Sequence, residues 1–267
     1  TSGGDKNTVV GDEAGAAITT GDFNTALGFE AGHDITTGSA NTIIGGLAGD
    51  KLIDASYNVA IGSGAIGADT KGSKSIAIGY NSLVTQNFTS ATDTFNVAIG
   101  FEAGRAISTG IQNTLLGGLA GDALTDADFN VAIGYNALTG DTQGSRSVAI
   151  GRGALAVQNF SSATDAYNIG IGFGAGVSVT TGKENVIIGG NAGDALTDAD
   201  FNTLVGSFAL SNDTQGSKST AIGYQALGTQ NFSSATGSFN TAVGYNAGVA
   251  VTTGANNAFL GSGAGGA

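Results

Sequence analysis

Two sets of residues recur at fixed spacing and carry groups able to do chemistry. The first is acidic: Asp122, Asp126 and Asp128, then Asp194, Asp198 and Asp200 one 72-residue step later, with a sparser copy at Asp50 and Asp54. Oxygen-only ligand sets of this kind suit calcium. The second joins amides to an aromatic ring: Gln86-Asn87-Phe88, Gln158-Asn159-Phe160 and Gln230-Asn231-Phe232, each followed by a Ser/Thr-rich tract such as Ser161-Ser162-Ala163-Thr164. On outward loops these residues could meet a cell-surface receptor, a glycan or a neighbouring subunit, because binding residues concentrate on loops held by a rigid scaffold. The opposing reading folds Phe88, Phe160 and Phe232 back over a coil edge.

The chemistry of an enzyme is missing. A nucleophilic triad needs a base beside the nucleophile, and the single histidine, His33, has Arg105 and Val177 at the corresponding positions of later repeats. No glycine-rich stretch ends in the Gly-Lys-Ser/Thr of a phosphate cradle. No carboxylate pair stands apart from the repeat as a glycosidase site would require. The stretch Gly117-Gly118-Leu119-Ala120-Gly121-Asp122-Ala123-Leu124 nearly spells a calcium-binding nonapeptide, but alanine replaces its third glycine and it occurs once per 72 residues rather than in tandem. The expectation is therefore no enzyme and no cofactor, with calcium the weak exception and turn-solvating aspartates the stronger reading.

Composition narrows the class further. The 267 residues include 47 glycines, no Pro, Cys, Met or Trp, and a net charge of −12. That balance argues against nucleic acid, which selects a clustered basic face. No apolar run approaches membrane-spanning length, so no membrane insertion is expected in this segment, and no signal peptide is visible. The absence of cysteine excludes a disulfide scaffold.

The element that must position everything is the stretch Asn-(Thr/Val)-Ala-(Ile/Leu/Val)-Gly, seen at 24–28, 58–62 and 240–244. Its closing glycine falls at 11, 28, 45, 62, 79, 100, 117, 134, 151, 172, 189, 206, 223, 244 and 261: steps of 17, with three of 21. Three larger units follow, 29–100, 101–172 and 173–244, with partial units at both ends. Self-similarity at a fixed period marks a repeat architecture. The expected fold is all-β: a single parallel β-roll, or β-solenoid, over 1–267, made of about fifteen 17/21-residue coils. Each coil should hold two short strands and two turns. Because strand side chains alternate between faces, the β-branched and aliphatic positions are expected to share the buried face. The alanines between them (Ala26, Ala60, Ala98, Ala132, Ala242) are expected to face partner chains. The recurrent asparagine predicts a hydrogen-bonded ladder. The cations Lys71, Lys74, Arg146 and Lys218 are expected to pair with aspartates of the coil below. The chain opens and closes in mid-repeat, which predicts a segment of a longer chain.

Two stretches carry a resemblance. Ser147-Val148-Ala149-Ile150-Gly151 and Ser75-Ile76-Ala77-Ile78-Gly79 resemble the head repeats of trimeric autotransporter adhesins. Asn240-Thr241-Ala242-Val243-Gly244-Tyr245-Asn246-Ala247-Gly248 is similar to the repeats of phage tail-fibre-like proteins. The resemblance implies a left-handed parallel β-roll, three chains about a threefold axis and an extracellular place on a cell surface or virion. The function it implies is structural and adhesive: a homotrimeric fibre segment presenting outward loops. Two alternatives stand beside it. One is a self-assembling surface filament formed by end-to-end association. The other is an ice-binding solenoid, for which the threonine pairs Thr19-Thr20, Thr36-Thr37, Thr180-Thr181 and Thr252-Thr253 form a broken array.

Overall fold

The computed structural model describes residues 4–266; the ends of the expected 1–267 segment, 1–3 and 267, lie outside the described residues. The described residues contain strands and turns and no helix, so none long and apolar enough to cross a membrane. The chain divides into two compact units between Asn130 and Val131, and each is a parallel β-solenoid of 17-residue coils. In the first, strands Thr8–Val10, Thr25–Leu27, Thr42–Ile44, Val59–Ile61, Ile76–Ile78, Val97–Ile99 and Thr114–Leu116 stack in that order. In the second, Val131–Ile133, Val148–Ile150, Ile169–Ile171, Val186–Ile188, Thr203–Val205, Thr220–Ile222, Thr241–Val243 and Ala258–Leu260 do the same. Fifteen coils result, as the spacing predicts.

Register follows the repeat. Thr25 pairs with Thr42, Ala26 with Ile43 and Leu27 with Ile44. Where a coil has 21 residues the same positions still meet, as Ile76 with Val97 and Val148 with Ile169. The closing glycine makes this stacking possible. Gly28 and Gly100 have φ of 137° and 145°, a region that side chains rarely enter. A Cβ there would stand 2.7 Å from a backbone atom of Gly45, or 2.3 Å from the carbonyl oxygen of Gly117.

The asparagine ladder forms. Asn41 receives the backbone N–H of Asn58 on its Oδ1 (2.9 Å) and gives its own N–H to Asn24 Oδ1 (3.0 Å), while its Nδ2 donates to the Ala55 carbonyl (2.9 Å). Asn113 and Asn185 repeat the pattern. All three are buried. Each amide joins its own coil to the coils on either side and satisfies backbone groups that a buried turn would otherwise leave unpaired.

Which face is inside is the reverse of the expectation. Ala26, Ala60, Ala98, Ala132 and Ala242 are at most 1% exposed, and they line the interior of their own coil rather than a partner. The β-branched and aliphatic positions point outward: Leu27 and Leu116 are 45% and 44% exposed, and Ile44, Ile61 and Ile99 are half-buried. A coil this short encloses only the central side chain of its strand. That residue is alanine or glycine in most coils, but Ile43, Leu115, Ile187 and Leu204 are fully buried there, packed against turn glycines: a Cβ on Gly49 would lie 3.1 Å from Ile43 Cδ1 and one on Gly121 2.8 Å from Leu115 Cδ2. Alanine recurs three residues past the glycine (Ala31, Ala103, Ala175).

A large core residue also enters from the turns, by two routes. Where glycine stands four residues past the closing glycine, the core is filled by the residue seven past it, as with Gly32 and Ile35 or Gly104 and Ile107. A Cβ on Gly32 would lie 2.9 Å from Ile35 Cδ1. Where that fourth residue is Ile66, Leu83, Leu138, Leu155, Leu210 or Leu227, it fills the core itself, at φ between 49° and 54°. The seventh residue is then a buried Asp or Gln.

The second strand expected in every coil does not form. The residues after the closing glycine make a run of turns. Its N–H groups reach both neighbours: Glu30 donates to the Asp12 carbonyl (2.9 Å) and Gly32 to that of Ala48 (2.9 Å). Alternation of positive and negative φ turns successive amides to opposite sides, which a strand does only with extended residues. Two-residue strands appear only beside the long coils, where Gly72–Ser73 pairs with Thr92–Asp93, Gly144–Ser145 with Thr164–Asp165 and Gly216–Ser217 with Thr236–Gly237.

The face assignment gives a direct test. Ala98→Val is expected to cost about 1–3 kcal/mol by overpacking. Its neighbour Ile99→Thr is expected to cost less than about 1 kcal/mol on the outer face. Urea unfolding of the two variants measures both, and the opposite order would restore the inverted faces.

Candidate interaction surface

The aspartates do not converge. Asp128 Oδ1 accepts the N–H of Ile111 (2.7 Å) and Asp200 Oδ1 that of Lys183 (2.7 Å), so each ties the turn of one coil to the preceding one. Asp126 and Asp198 accept from the adjacent hydroxyls of Thr125 and Thr197 (3.0 and 3.1 Å). Asp122 faces Arg105 Nη2 at 3.8 Å, and Asp194 Oδ2 takes the Asn191 amide at 3.2 Å. Asp50 and Asp54 lie beside Lys51 and Lys71, at 3.3 and 3.9 Å. Among the described residues no three His, Asp or Glu side chains gather as a metal-binding group. The cations pair in both directions along the stack. Lys71 reaches Asp54 of the coil below, whereas Lys74 and Arg146 reach Asp93 (2.5 Å) and Asp165 (2.8 Å) of the coil above. Lys218 has Gly237 at that position and lies over the Phe239 ring, 5.2 Å from its centroid.

The Gln-Asn-Phe inserts divide. Asn87, Asn159 and Asn231 are exposed, but Gln86, Gln158 and Gln230 are fully buried and Phe88, Phe160 and Phe232 nearly so. The rings fold back against glycine: a Cβ on Gly72 would meet Phe88 Cδ2 at 3.0 Å. The outward part of each insert is its asparagine and the Ser/Thr tract after the phenylalanine.

The buried glutamine has a physical cause. Entering each long coil, the asparagine ladder is interrupted by Ser75, Ser147 or Ser219, whose side chain has no amide. Gln86 of the long coil supplies one. Its Nε2 donates to Asp69 Oδ2 (2.5 Å) and Ser75 Oγ (3.1 Å), and its Oε1 accepts from Asn96 Nδ2 (3.0 Å), where the ladder resumes. Asp69 Oδ1 meanwhile accepts the N–H groups of Gly72 and Phe88 (both 3.0 Å). The clasp recurs at Asp141, Gln158 and Asn168 and at Asp213, Gln230 and Asn240. The sequence signal was available: Asp or Gln replaces the seventh-position aliphatic in every coil that carries Ile or Leu at the fourth.

The largest feature open to a partner was not foreseen. Beside the exposed aliphatic row of each unit stand two aromatic columns. Immediately after the closing glycine come Phe29, Tyr80 and Phe101 in the first unit and Tyr135, Phe173, Tyr224 and Tyr245 in the second; immediately before the ladder asparagine come Phe23, Tyr57, Phe95 and Phe129 in the first and Tyr167, Phe201 and Phe239 in the second, all exposed. Tyr80 stacks on Phe101 and Tyr224 on Tyr245, with centroids 5.5 and 5.4 Å apart. In the second column aromatic rings occupy alternate coils. Lys6, Lys74, Arg146 and Lys218 lie over the next ring at 4.6–5.9 Å. That column has positive φ throughout, 60° at Phe23 and 50° at Phe95. Aromatic residues seldom adopt this conformation, which is why sequence reading assigned the column no role.

His33 sits on a turn. Its Nδ1 lies 2.6 Å from Asp34 Oδ1 and its Nε2 3.6 Å from Glu13. The Asp34 hydrogen bond raises the histidine above its ordinary value of 6.5, and the His33 hydrogen bond lowers Asp34 below 3.8.

Set against protein-family models, curated proteins and solved structures, the chain matches none.

Two outcomes follow from this geometry. Gln158→Leu leaves Asp141, Ser147 and Asn168 short of a buried partner, and is expected to lower stability by about 2–4 kcal/mol. Asn159→Ala, one residue away on the surface, should stay within about 0.5 kcal/mol; equal effects in denaturant unfolding would refute the clasp. By NMR, His33 should titrate above 6.5 and return towards it in Asp34→Asn. The stabilisation from the protonated ring is present below pH 6.5 and fades as pH rises through the raised value. The Asp34 part is present above 3.8 and fades as pH falls through the lowered one.

Proposed function

We propose that this chain is a structural segment of an extracellular attachment fibre, on a bacterial surface or a virion, in which three copies associate side by side. The single observation that carries the reading is the exposed aliphatic row together with the aromatic column before the ladder asparagine; the column after the closing glycine stays open. Water-facing apolar surface of this extent marks an interaction site. It replaces the alanine row, buried within each coil, as the surface facing partner chains. With strands about 4.8 Å apart, a face seven coils tall and five residues wide offers about 500 Å² in each unit. Each unit by itself supplies more than half of the about 800 Å² per partner found in stable interfaces. Apart from this face and the clasped inserts, the surface is turns and short polar tracts. The exposed asparagines Asn87, Asn159 and Asn231 and their Ser/Thr tracts are the parts free to meet a receptor or glycan in such an assembly. The acids, engaged in turn hydrogen bonds and ion pairs, fit a scaffold that needs no calcium.

Light scattering on the isolated chain should return three times the monomer mass of 25.9 kDa. The double variant Ile61→Lys, Ile99→Lys should lower it to one copy while keeping the β-sheet circular-dichroism spectrum. A wild-type chain that is monomeric at every concentration measured would refute the reading.

A further inference from the structure

Just past the closing glycine, the middle repeat carries Arg152 where both flanking repeats carry tyrosine. We infer that the middle repeat carries a groove that binds a carboxylated sugar, a uronic-acid-type unit, with Arg152 taking its carboxylate. In the flanking 72-residue repeats the position of Arg152 is Tyr80 and Tyr224, that of Gly153 is Asn81 and Gln225, and that of Gly174 is Glu102 and Asn246. The middle repeat thus removes two consecutive side chains and puts a guanidinium where an aromatic ring stands elsewhere. The result is a groove of about 280 Å³. That lies at the small end of ligand sites and suits a single sugar ring. A Cβ added at Gly153 would meet nothing within 4 Å, so the space is open.

The lining matches the chemistry of such a ligand. Tyr135 and Phe173 stand two coils apart, about 10 Å, and offer apolar faces to the C–H side of a sugar ring. Arg152 lies between them in sequence of coils, its guanidinium 5.5 Å from the Phe173 ring centroid. It makes no ion pair with any carboxylate among the described residues, so its N–H fork is free for a bidentate carboxylate contact. The two amides bounding the gap are complementary. Asn136 lines the gap with its Oδ1 buried and without a hydrogen-bond partner, so its Nδ2 is the group it can offer to a ligand oxygen. Asn191 gives its Nδ2 to Asp194, which leaves its Oδ1 to accept from a hydroxyl. A related gap in the first unit at Gly64 has Ser63 in place of the arginine and Asp50 on its rim, so it lacks the cation and serves as an internal control. The inference does not rest on the fibre reading, since all of its residues lie in one chain.

The test is titration of the whole chain with galacturonate trisaccharide, and with maltotriose as the neutral control, by calorimetry and by NMR shifts of residues around Gly153. The acidic sugar should bind at least tenfold more tightly than the neutral one. Arg152→Gln should remove that preference. Gly153→Asn should abolish binding without lowering the melting temperature, because Asn81, Asn136, Asn191 and Asn246 already occupy this position at φ between 51° and 55°. Equal binding of both sugars would overturn the carboxylate assignment. Absence of binding, or shifts confined to other coils, would overturn the site. Failure here would leave the mass measurement untouched, and the reverse also holds.

Discussion

Each coil satisfies its backbone through the coils beside it. Strand N–H groups donate to the next three-residue strand, turn amides alternate between upper and lower neighbours, and the asparagine ladder binds the corner where strand begins. A lone coil would leave most of these groups unpaired, at a cost no single alanine-lined interior could offset. The close stacking this requires explains the closing glycine, whose neighbour's backbone occupies the place of a side chain. It also explains why even the 21-residue coils return to register at the asparagine.

The same constraint fixes how irregularity is tolerated. Four extra residues cannot be spread along the coil without breaking the ladder. They are confined to one segment and clasped by a buried Asp–Gln pair. The clasp takes the place of the aliphatic core residue, and a leucine in left-handed conformation moves in to refill the core. One substitution therefore implies the others: serine in the ladder, Asp or Gln at the seventh position, Ile or Leu at the fourth. Surface chemistry is freer. The aromatic columns and the gap at Gly153 sit where side chains leave the stack, so they can vary without disturbing it.

Much of this was legible before any coordinates. The period, the register, the all-β class and the asparagine ladder follow from spacing, because a residue type recurring at one phase must meet its copies in a stacked fold. The inserts were legible in place but not in direction. Gln86 and Phe88 look like loop residues until the missing amide at Ser75 is seen to need a substitute. One aromatic column was hidden because Phe23, Tyr57 and Phe95 adopt positive φ, a conformation that composition rules reserve for glycine and asparagine.

Sequence by itself determined that the chain winds, where each turn closes and that its strands have two unlike faces. It could not determine which face is inside. Alternation with a period of two distinguishes Ala98 from Val97 and Ile99 but is silent on direction, and hydrophobicity alone favours burying the larger pair. Only the closed coil decided it: the turns wrap over the central side chain of each strand, alanine in most coils and Ile43, Leu115, Ile187 or Leu204 in others, and leave the flanking aliphatic row facing water.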